Sequence, residues 1–315
     1  MIEKRVAALG FFDGVHIGHA ALLKRVIDIG RKTGLKPAVI TFDTAPQNIL
    51  GPDYVLLINS LEDRVGLIRR IFNINDVISL PFDSVMATMA WDDFIDHMII
   101  DYDVRHFVIG SNFKFGKGAN GNGKFLADKC KNSSIGCDII ELVSHENEIC
   151  SSTYIRELLF EGDVESANTF LGHKHVLTDI VRCGQHFGRT IGIPTINMHF
   201  QNGVLVPAHG VYATKVYIED EADSGATELN DATALNGVTE LNGVTNIGIR
   251  PTVDNSGFVT AETFIFGFEE TLYDREIRLE FCKFIRPERK FNDVEELKTQ
   301  IELDCKVAME YFTYI

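Results

Sequence analysis

Four apolar residues in a row, Val6 to Leu9, lead into a region where Ala20, Leu23, Val26 and Ile27 return at helical spacing. The two patterns predict a buried strand and an amphipathic helix, joined by the turn Gly10–His19. The alternation continues. Lys36–Asp43 reads as a buried strand, and 60–72 as a helix with Leu61, Val65 and Ile68 on one face. Residues 76–82 read as a strand, 89–100 as a helix, and 104–110 as another strand. Strand and helix in turn imply a parallel sheet covered by helices. Thr153 is a candidate cap for a helix ending at Gly162, and Asp163 for a second ending at Gly172. This helical pair closes the first expected domain, residues 1–172, and leaves 173–315 for the second.

Beyond Lys174 the period shortens to that of strands. Residues 175–184, 210–220, 261–268 and 276–286 are β-rich and separated by turn-like segments, which suggests an antiparallel barrel or sandwich. A six-residue unit repeats from Ala226 to Gly248 directly after an acidic stretch, and is expected to form an extended loop or long hairpin. The chain closes with a helix. Asn292 and Glu295 form its capping-box pattern, and Val294, Leu297, Ile301, Ala308 and Phe312 mark its buried face.

The charge balance narrows the partners. A formal net charge of −15 over 315 residues disfavours a nucleic-acid backbone or an anionic membrane surface. No apolar run approaches a membrane span and no basic-then-apolar leader opens the chain, so a cytoplasmic protein is expected. The six cysteines show neither CxxC nor zinc-like spacing and are expected to be reduced thiols.

Three stretches carry candidate chemistry. In Gly10–His19, Gly10, Asp13 and Gly14 precede His16 and His19 at a strand-to-helix turn, where bare N–H groups and a helix dipole attract phosphate. The two histidines could equally be helix-start residues or half of a zinc site that lacks partners. In Ser151–Leu159, Ser152, Thr153 and Arg156 suit a phosphate chain, or an ordinary helix cap. The glycine-rich Gly110–Gly123 follows a strand and offers the ring faces of Phe113 and Phe115 to a planar heterocycle, or is a plain connection.

Together these stretches resemble the bacterial bifunctional riboflavin kinase/FMN adenylyltransferase family. "GFFDGVHIGH", "TFD", "GSNFKFG" and "SSTYIR" follow the order of its N-terminal pattern; "GRTIGIPTIN", "NIGIRPT" and "LYDREIRLEF" are similar to its kinase pattern. Phe11 stands where the family commonly has Asn, and Asp274 where it commonly has Gly. The resemblance implies an α/β N-terminal half, a Rossmann-like nucleotidyltransferase domain built on a parallel sheet. It implies an antiparallel β-barrel riboflavin kinase domain, ending in a helix, for the other half.

It also implies two reactions: riboflavin and ATP give FMN, then FMN and a second ATP give FAD and pyrophosphate. By motif match, Thr195 and Asn197 hold Mg²⁺ and ATP, Gly188 and Gly192 admit the phosphates, Glu262 is the base, and Arg250 contacts the flavin. His16 and His19 serve the α- and β-phosphates of the adenylyl donor, Ser152, Thr153 and Arg156 the distal ones, and Asn112 and Phe115 the substrate. Three other readings stay open: a kinase whose adenylyltransferase half is weakened or lost, a non-catalytic flavin-binding regulator, and a single-function nucleotidyltransferase with another acceptor, which leaves "GRTIGIPTIN" unexplained. The oligomeric state is not encoded in any of these patterns.

Overall fold

The computed structural model describes residues 3–52, 54–183, 188, 192–219, 233–234, 237–249 and 259–314. The chain packs as two compact units, Met1–Tyr154 and Ile155–Ile315.

The first unit is a five-stranded parallel sheet in the order β3-β2-β1-β4-β5. Its strands are β1 (Arg5–Leu9), β2 (Lys36–Phe42), β3 (Asp76–Leu80), β4 (Val104–Gly110) and β5 (Gly136–Ile140). The helices in sequence are α1 (Ile17–Thr33), α2 (Pro46–Leu50), α3 (Leu61–Phe72), α4 (Ser84–Thr88), α5 (Trp91–Asp101) and α6 (Gly123–Asn132). Strand β1 is buried from Val6 to Leu9 and β2 from Ala38 to Phe42, which is why both read as nearly continuous apolar runs. The chain moves outward from β1 to β2 and β3, then returns to start β4 on the other side of β1. Strand order therefore reverses between β1 and β4, and their carboxyl ends border the crevice where such sheets bind ligands. A two-residue-per-strand hairpin, β6 (Ser144–His145) with β7 (Glu148–Ile149), leads to α7 (Ser152–Glu161).

Two local expectations shift. Helix α7 starts at Ser152, and Ser151 Oγ accepts from the Tyr154 N–H at 3.3 Å, so Thr153 lies inside the first turn and is not the cap. On α3 the buried residues are Asp63, Arg64, Leu67 and Ile68, while Leu61 and Val65 are only half-buried. Two charged side chains thus occupy the inner face.

The second unit holds the rest of α7, then α8 (Val164–Leu171), which Asp163 caps through the Ser166 N–H and Gly172 ends in a left-handed conformation. A sheet follows in the order β8-β14-β10-β12-β13-β9, formed by β8 (His175–Ile180), β9 (Ile196–His199), β10 (Gly210–Glu219), β12 (Val238–Ile249), β13 (Val259–Ile265) and β14 (Glu276–Pro287). Short β11 (Thr233–Ala234) pairs with β12. Neighbouring strands are antiparallel. The two ends of the path meet: Arg182, just past β8, donates its N–H to the Asn197 carbonyl of β9 at 2.9 Å, and Asp179 Oδ2 accepts from the His199 N–H at 2.7 Å. The sheet closes into a barrel, as the family pattern implies and not as a sandwich.

The last copies of the repeat form the strand of a long hairpin, the second of the two expected forms, and not an extended loop. Val238–Ile249 pairs with β10 on one side and β13 on the other, with Thr239, Leu241 and Val244 buried. The earlier copies lie largely outside the described residues. Inside the barrel, the hydroxyls of Thr214, Thr245 and Thr263 run from β10 through β12 to β13 in two 2.8 Å hydrogen bonds. Helix α9 (Val294–Thr313) covers β10 and β12 with Ile301, Cys305, Ala308 and Phe312. Val294 is exposed, and the cap is Asp293 with Glu296, one residue beyond the expected pair. Buried Asp304 takes a two-toothed contact from Arg286 of β14, at 2.9 and 2.7 Å, which locks the helix to the barrel. All six cysteines are free thiols.

Candidate functional site

In the first unit the site grows from the end of β1. Gly10 donates to the Ile40 carbonyl at 3.2 Å and continues the sheet by one residue. Phe12 then turns left-handed (φ 59°), and a short 3-10 turn, Asp13–Val15, passes through Gly14 at φ 80°. That conformation carries no penalty for glycine. His16 caps α1, its Nδ1 accepting from the His19 N–H at 3.3 Å. The two imidazoles stack with centroids 3.6 Å apart and 19° from parallel. A side chain at Gly18 would meet the His16 ring at 3.0 Å, so the H-x-G-H spacing is a packing requirement as well as a chemical one. Burial first, then His16 and Arg64, holds the His19 imidazole well below its ordinary pKa, and its buried Nδ1 has no partner within the protein. A stacked imidazole pair at a helix N-terminus is placed to offer directed hydrogen-bond groups to an anion.

The α7 start is drawn to the same turn: Ser152 Oγ donates to the Asp13 carbonyl at 2.9 Å. The Asp13 carboxylate faces the other way. Buried, it accepts from the Ile58 N–H at 2.9 Å and the Asn59 N–H at 3.4 Å, and so braces the turn; it is not presented to a phosphate. Thr153 is exposed, and Arg156 lies one turn further along α7, within the second unit.

The glycine-rich segment leaves β4 at the other lip of the crevice. Phe113 donates to the Gly110 carbonyl at 3.0 Å, and Phe115 and Gly121 exchange hydrogen bonds that pinch the loop. Gly116 is required there, because a Cβ would stand 2.5 Å from the Trp91 backbone. Asn112 is exposed and free to meet a ligand. Phe115 does not offer a ring face: it is buried in the core between Phe94 and Phe113, with centroids at 5.8 and 5.6 Å. Half-buried Phe113 retains the accessible ring.

Two residues of this site had no signal in the pattern of the sequence. Arg64 reaches the strand ends from α3, and Asn59 is fully buried beside Asp13 with both amide atoms unpaired. The one available hint was Arg64 itself, a charge three and four positions before the apolar Leu67 and Ile68.

In the second unit Asn197 of β9 stands directly across from Glu262 of β13. The Ile193 N–H donates to the Gly188 carbonyl at 2.8 Å, folding the segment before β9 back on itself. At Gly188 a Cβ would lie 2.2 Å from the Ile193 carbonyl oxygen and 3.4 Å from Thr195 Oγ1, so only glycine fits. Gly192 is exposed and left-handed, with nothing near its Cβ position. Gly188, Thr195, Asn197 and Glu262 therefore share one edge of the barrel. Arg250 lies outside the described residues. Asp274 occupies a left-handed position (φ 63°), a conformation that glycine adopts without penalty.

Among the described residues no three His, Cys, Asp or Glu side chains gather as a metal cage. The hydroxyl of Thr195 and the amide oxygen of Asn197 are hard, neutral oxygen donors beside a backbone that admits close approach. Such a pair suits a divalent cation that takes most of its ligands from water and substrate phosphates.

Comparison with known proteins agrees with this division. A family model for FAD synthetase matches residues 1–154, and one for riboflavin kinase matches 171–312. The chain is 37% identical to a bifunctional riboflavin kinase/FMN adenylyltransferase of Bacillus subtilis, over 98% of this chain and 93% of that protein. A protein of the same description from Listeria monocytogenes is 32% identical, over 98% and 92%. A crystal structure described as a macrolide-efflux protein from Streptococcus pneumoniae matches with a TM-score of 0.80 and 26% identity, covering 98% of this chain and 95% of that one. Among the described residues no helix is long and apolar enough to cross a membrane. With both catalytic modules present in order, and relatives of one description aligned from end to end, the chain belongs to the bifunctional riboflavin kinase/FMN adenylyltransferase family.

Proposed function

We propose that this protein makes FAD from riboflavin in two ATP-dependent steps, phosphorylation at the C-terminal barrel (173–315) and adenylylation in the N-terminal half (1–172). The observation that carries this reading is that each half gathers its own motif residues at one edge: His16, His19 and Ser152 around the turn after β1, and Gly188, Thr195, Asn197 and Glu262 beside β9.

In the kinase step, the ribityl 5′-hydroxyl attacks the γ-phosphorus of ATP, the bond from that phosphorus to the bridging oxygen breaks, ADP leaves, and Glu262 accepts the hydroxyl proton. Thr195 and Asn197 would hold Mg²⁺ and ATP, Gly188 and Gly192 would admit the phosphates, and Arg250 would contact the flavin. A cation held there would neutralise charge on the phosphates. In the second step, the FMN phosphate attacks the α-phosphorus and pyrophosphate leaves. The nucleophile is already an anion, so positioning and electrostatics carry most of the catalysis. His16 and His19 donate to the phosphates around the reacting centre. Ser152, Thr153 and Arg156 serve the distal phosphates, with Gly10 and Gly14 leaving the backbone open. Asn112 and Phe113, the latter backed by Phe115, hold the flavin side. A cytoplasmic setting, where ATP and riboflavin are at hand, goes with this reading.

One incubation of the purified protein with riboflavin, ATP and Mg²⁺, resolved by chromatography, tests it. FMN followed by FAD is the expected result. FMN alone would reduce the protein to a kinase, and flavin bound without turnover would make it a regulator.

A further inference from the structure

The inner face of α3 carries a charge that the two reactions leave without a role. Arg64 is 0% exposed. One terminal nitrogen donates to the Phe11 carbonyl at 2.6 Å and the other to the Phe42 carbonyl at 2.8 Å. The guanidinium carbon lies 4.2 Å from the centroid of the Phe11 ring. Phe42 closes β2 and Phe11 follows the end of β1, so a single side chain spans the carboxyl ends of two neighbouring strands. The Phe11 carbonyl takes a second donor, Thr41 Oγ1, at 2.9 Å. The next residue, Phe12, begins the left-handed turn that delivers His16 and His19.

A leucine or methionine would fill an inner helix position at no electrostatic cost, whereas a buried cation is unfavourable unless it is hydrogen-bonded. Burial lowers the Arg64 pKa to about 10 against the opposing pull of Asp13, Asp43 and Glu62, so the group stays charged at neutral pH. Its charge reaches the catalytic turn, since Arg64 is, after burial and His16, a further cause of the depressed His19 pKa. Buried polar atoms that the protein leaves unpaired also collect here: His19 Nδ1, both amide atoms of Asn59, and Arg64 Nε. Unpaired buried groups are costly and point to a site completed by something else.

We propose that Arg64 is a positioning residue for adenylyl transfer: by tying the Phe11 and Phe42 carbonyls together beneath the crevice, it fixes the turn that carries His16 and His19 in the shape that meets the ATP phosphates. The proposal rests on the assignment of adenylyl transfer to the N-terminal half. It gives Phe11 a role as well, because the ring that replaces the family's usual asparagine covers the guanidinium face.

The test uses the full-length protein and the variants Arg64→Met, Arg64→Lys and Thr41→Val. On each preparation, kcat and KM for FAD formation from FMN and ATP are measured beside FMN formation from riboflavin. Arg64→Met is expected to lower the adenylylation kcat by on the order of 10²-fold, the scale of a misplaced reacting group, with little change in KM for FMN. Arg64→Lys keeps the charge, but a lone ammonium cannot replace the two-pronged fork, so it restores activity only in part. Thr41→Val removes the other donor to the Phe11 carbonyl and gives a smaller loss in the same direction. That variant decides the matter where Arg64→Met does not fold. Riboflavin phosphorylation stays at the wild-type rate throughout. Wild-type adenylylation in folded Arg64→Met or in Thr41→Val, full rescue by lysine, or equal loss of both activities overturns the proposal. Wild-type protein that forms no FAD from FMN overturns the assignment beneath it, and the proposal with it.

Discussion

Ser152 and Asp13, separated by most of the N-terminal half, meet through a 2.9 Å hydrogen bond from the serine hydroxyl to the aspartate carbonyl. The bond joins the start of α7 to the turn that carries the histidine pair. Ser152→Ala deletes this hydrogen bond, a loss of about 1 kcal/mol in stability. The larger expected effect is on FAD formation, because the two segments proposed to face the phosphates lose their registry. Steady-state rates should show adenylylation falling while riboflavin phosphorylation is unchanged; equal loss of both would mean that the bond serves folding alone.

His19→Ala should slow FAD formation by on the order of 10²-fold or more, the usual effect of deleting a preorganised donor, and leave FMN formation intact. Wild-type pH dependence adds a second check. Burial, His16 and Arg64 hold His19 well below 6.5, so it remains neutral across the physiological range. A plot of adenylylation rate against pH should therefore show no His19 step near 6.5. A step at that pH that vanishes in His19→Ala would contradict the buried neutral imidazole.

How much of this was legible in the sequence depended on how local its causes are. The turn from β1 to α1 reads directly, because the change from a continuous apolar run to helical spacing and the glycines between them are fixed by neighbours in the chain. Strand β12 reads only as one of two forms, an extended loop or a long hairpin, and the structure has the hairpin strand. Its six-residue repeat looks polar, yet Thr245 is buried at 0% because Thr214 and Thr263, on other strands, satisfy its hydroxyl. Phe115 looked like a ligand platform for the opposite reason: nothing near it in sequence reveals that Phe94 closes over its ring. Arg64 is the same case in the site itself, since its acceptors are carbonyls from β2 and the segment after β1. Asn197 and Glu262 became site candidates only by resemblance, and their facing positions arise from barrel pairing that no local pattern encodes.

Glu262→Gln separates the two activities from the kinase side. The substitution keeps the shape of the side chain opposite Asn197 and removes its charge and basicity. General-base contributions are typically about 10²–10⁴-fold, so FMN formation should fall by that order. FAD formation from supplied FMN should be nearly unchanged, since its nucleophile is the FMN phosphate. Circular dichroism on the same preparation establishes that the barrel is folded. A variant that phosphorylates riboflavin normally removes Glu262 from the mechanism.

His175 gives the barrel an acid-sensitive core. Its ring is 1% exposed against Phe281, with neither nitrogen paired, and burial, assisted by the nearby His173, lowers its pKa from 6.5 to about 3. In the unfolded chain the same imidazole protonates near 6.5. The native state therefore keeps its full advantage above that pH and loses it as pH falls toward 3, because only the unfolded chain takes up the proton. At about 1.4 kcal/mol per pH unit, the loss between pH 7 and pH 5 is roughly 2 kcal/mol. His175→Phe retains the backbone N–H that donates to Asn168 Oδ1 at 2.7 Å and removes the titrating group. Thermal unfolding followed from pH 7 to pH 5 should show a shallower decline in Tm for the phenylalanine variant than for the wild type. Parallel declines would mean that other groups govern the acid limb and that His175 finds a proton-accepting partner in the folded barrel.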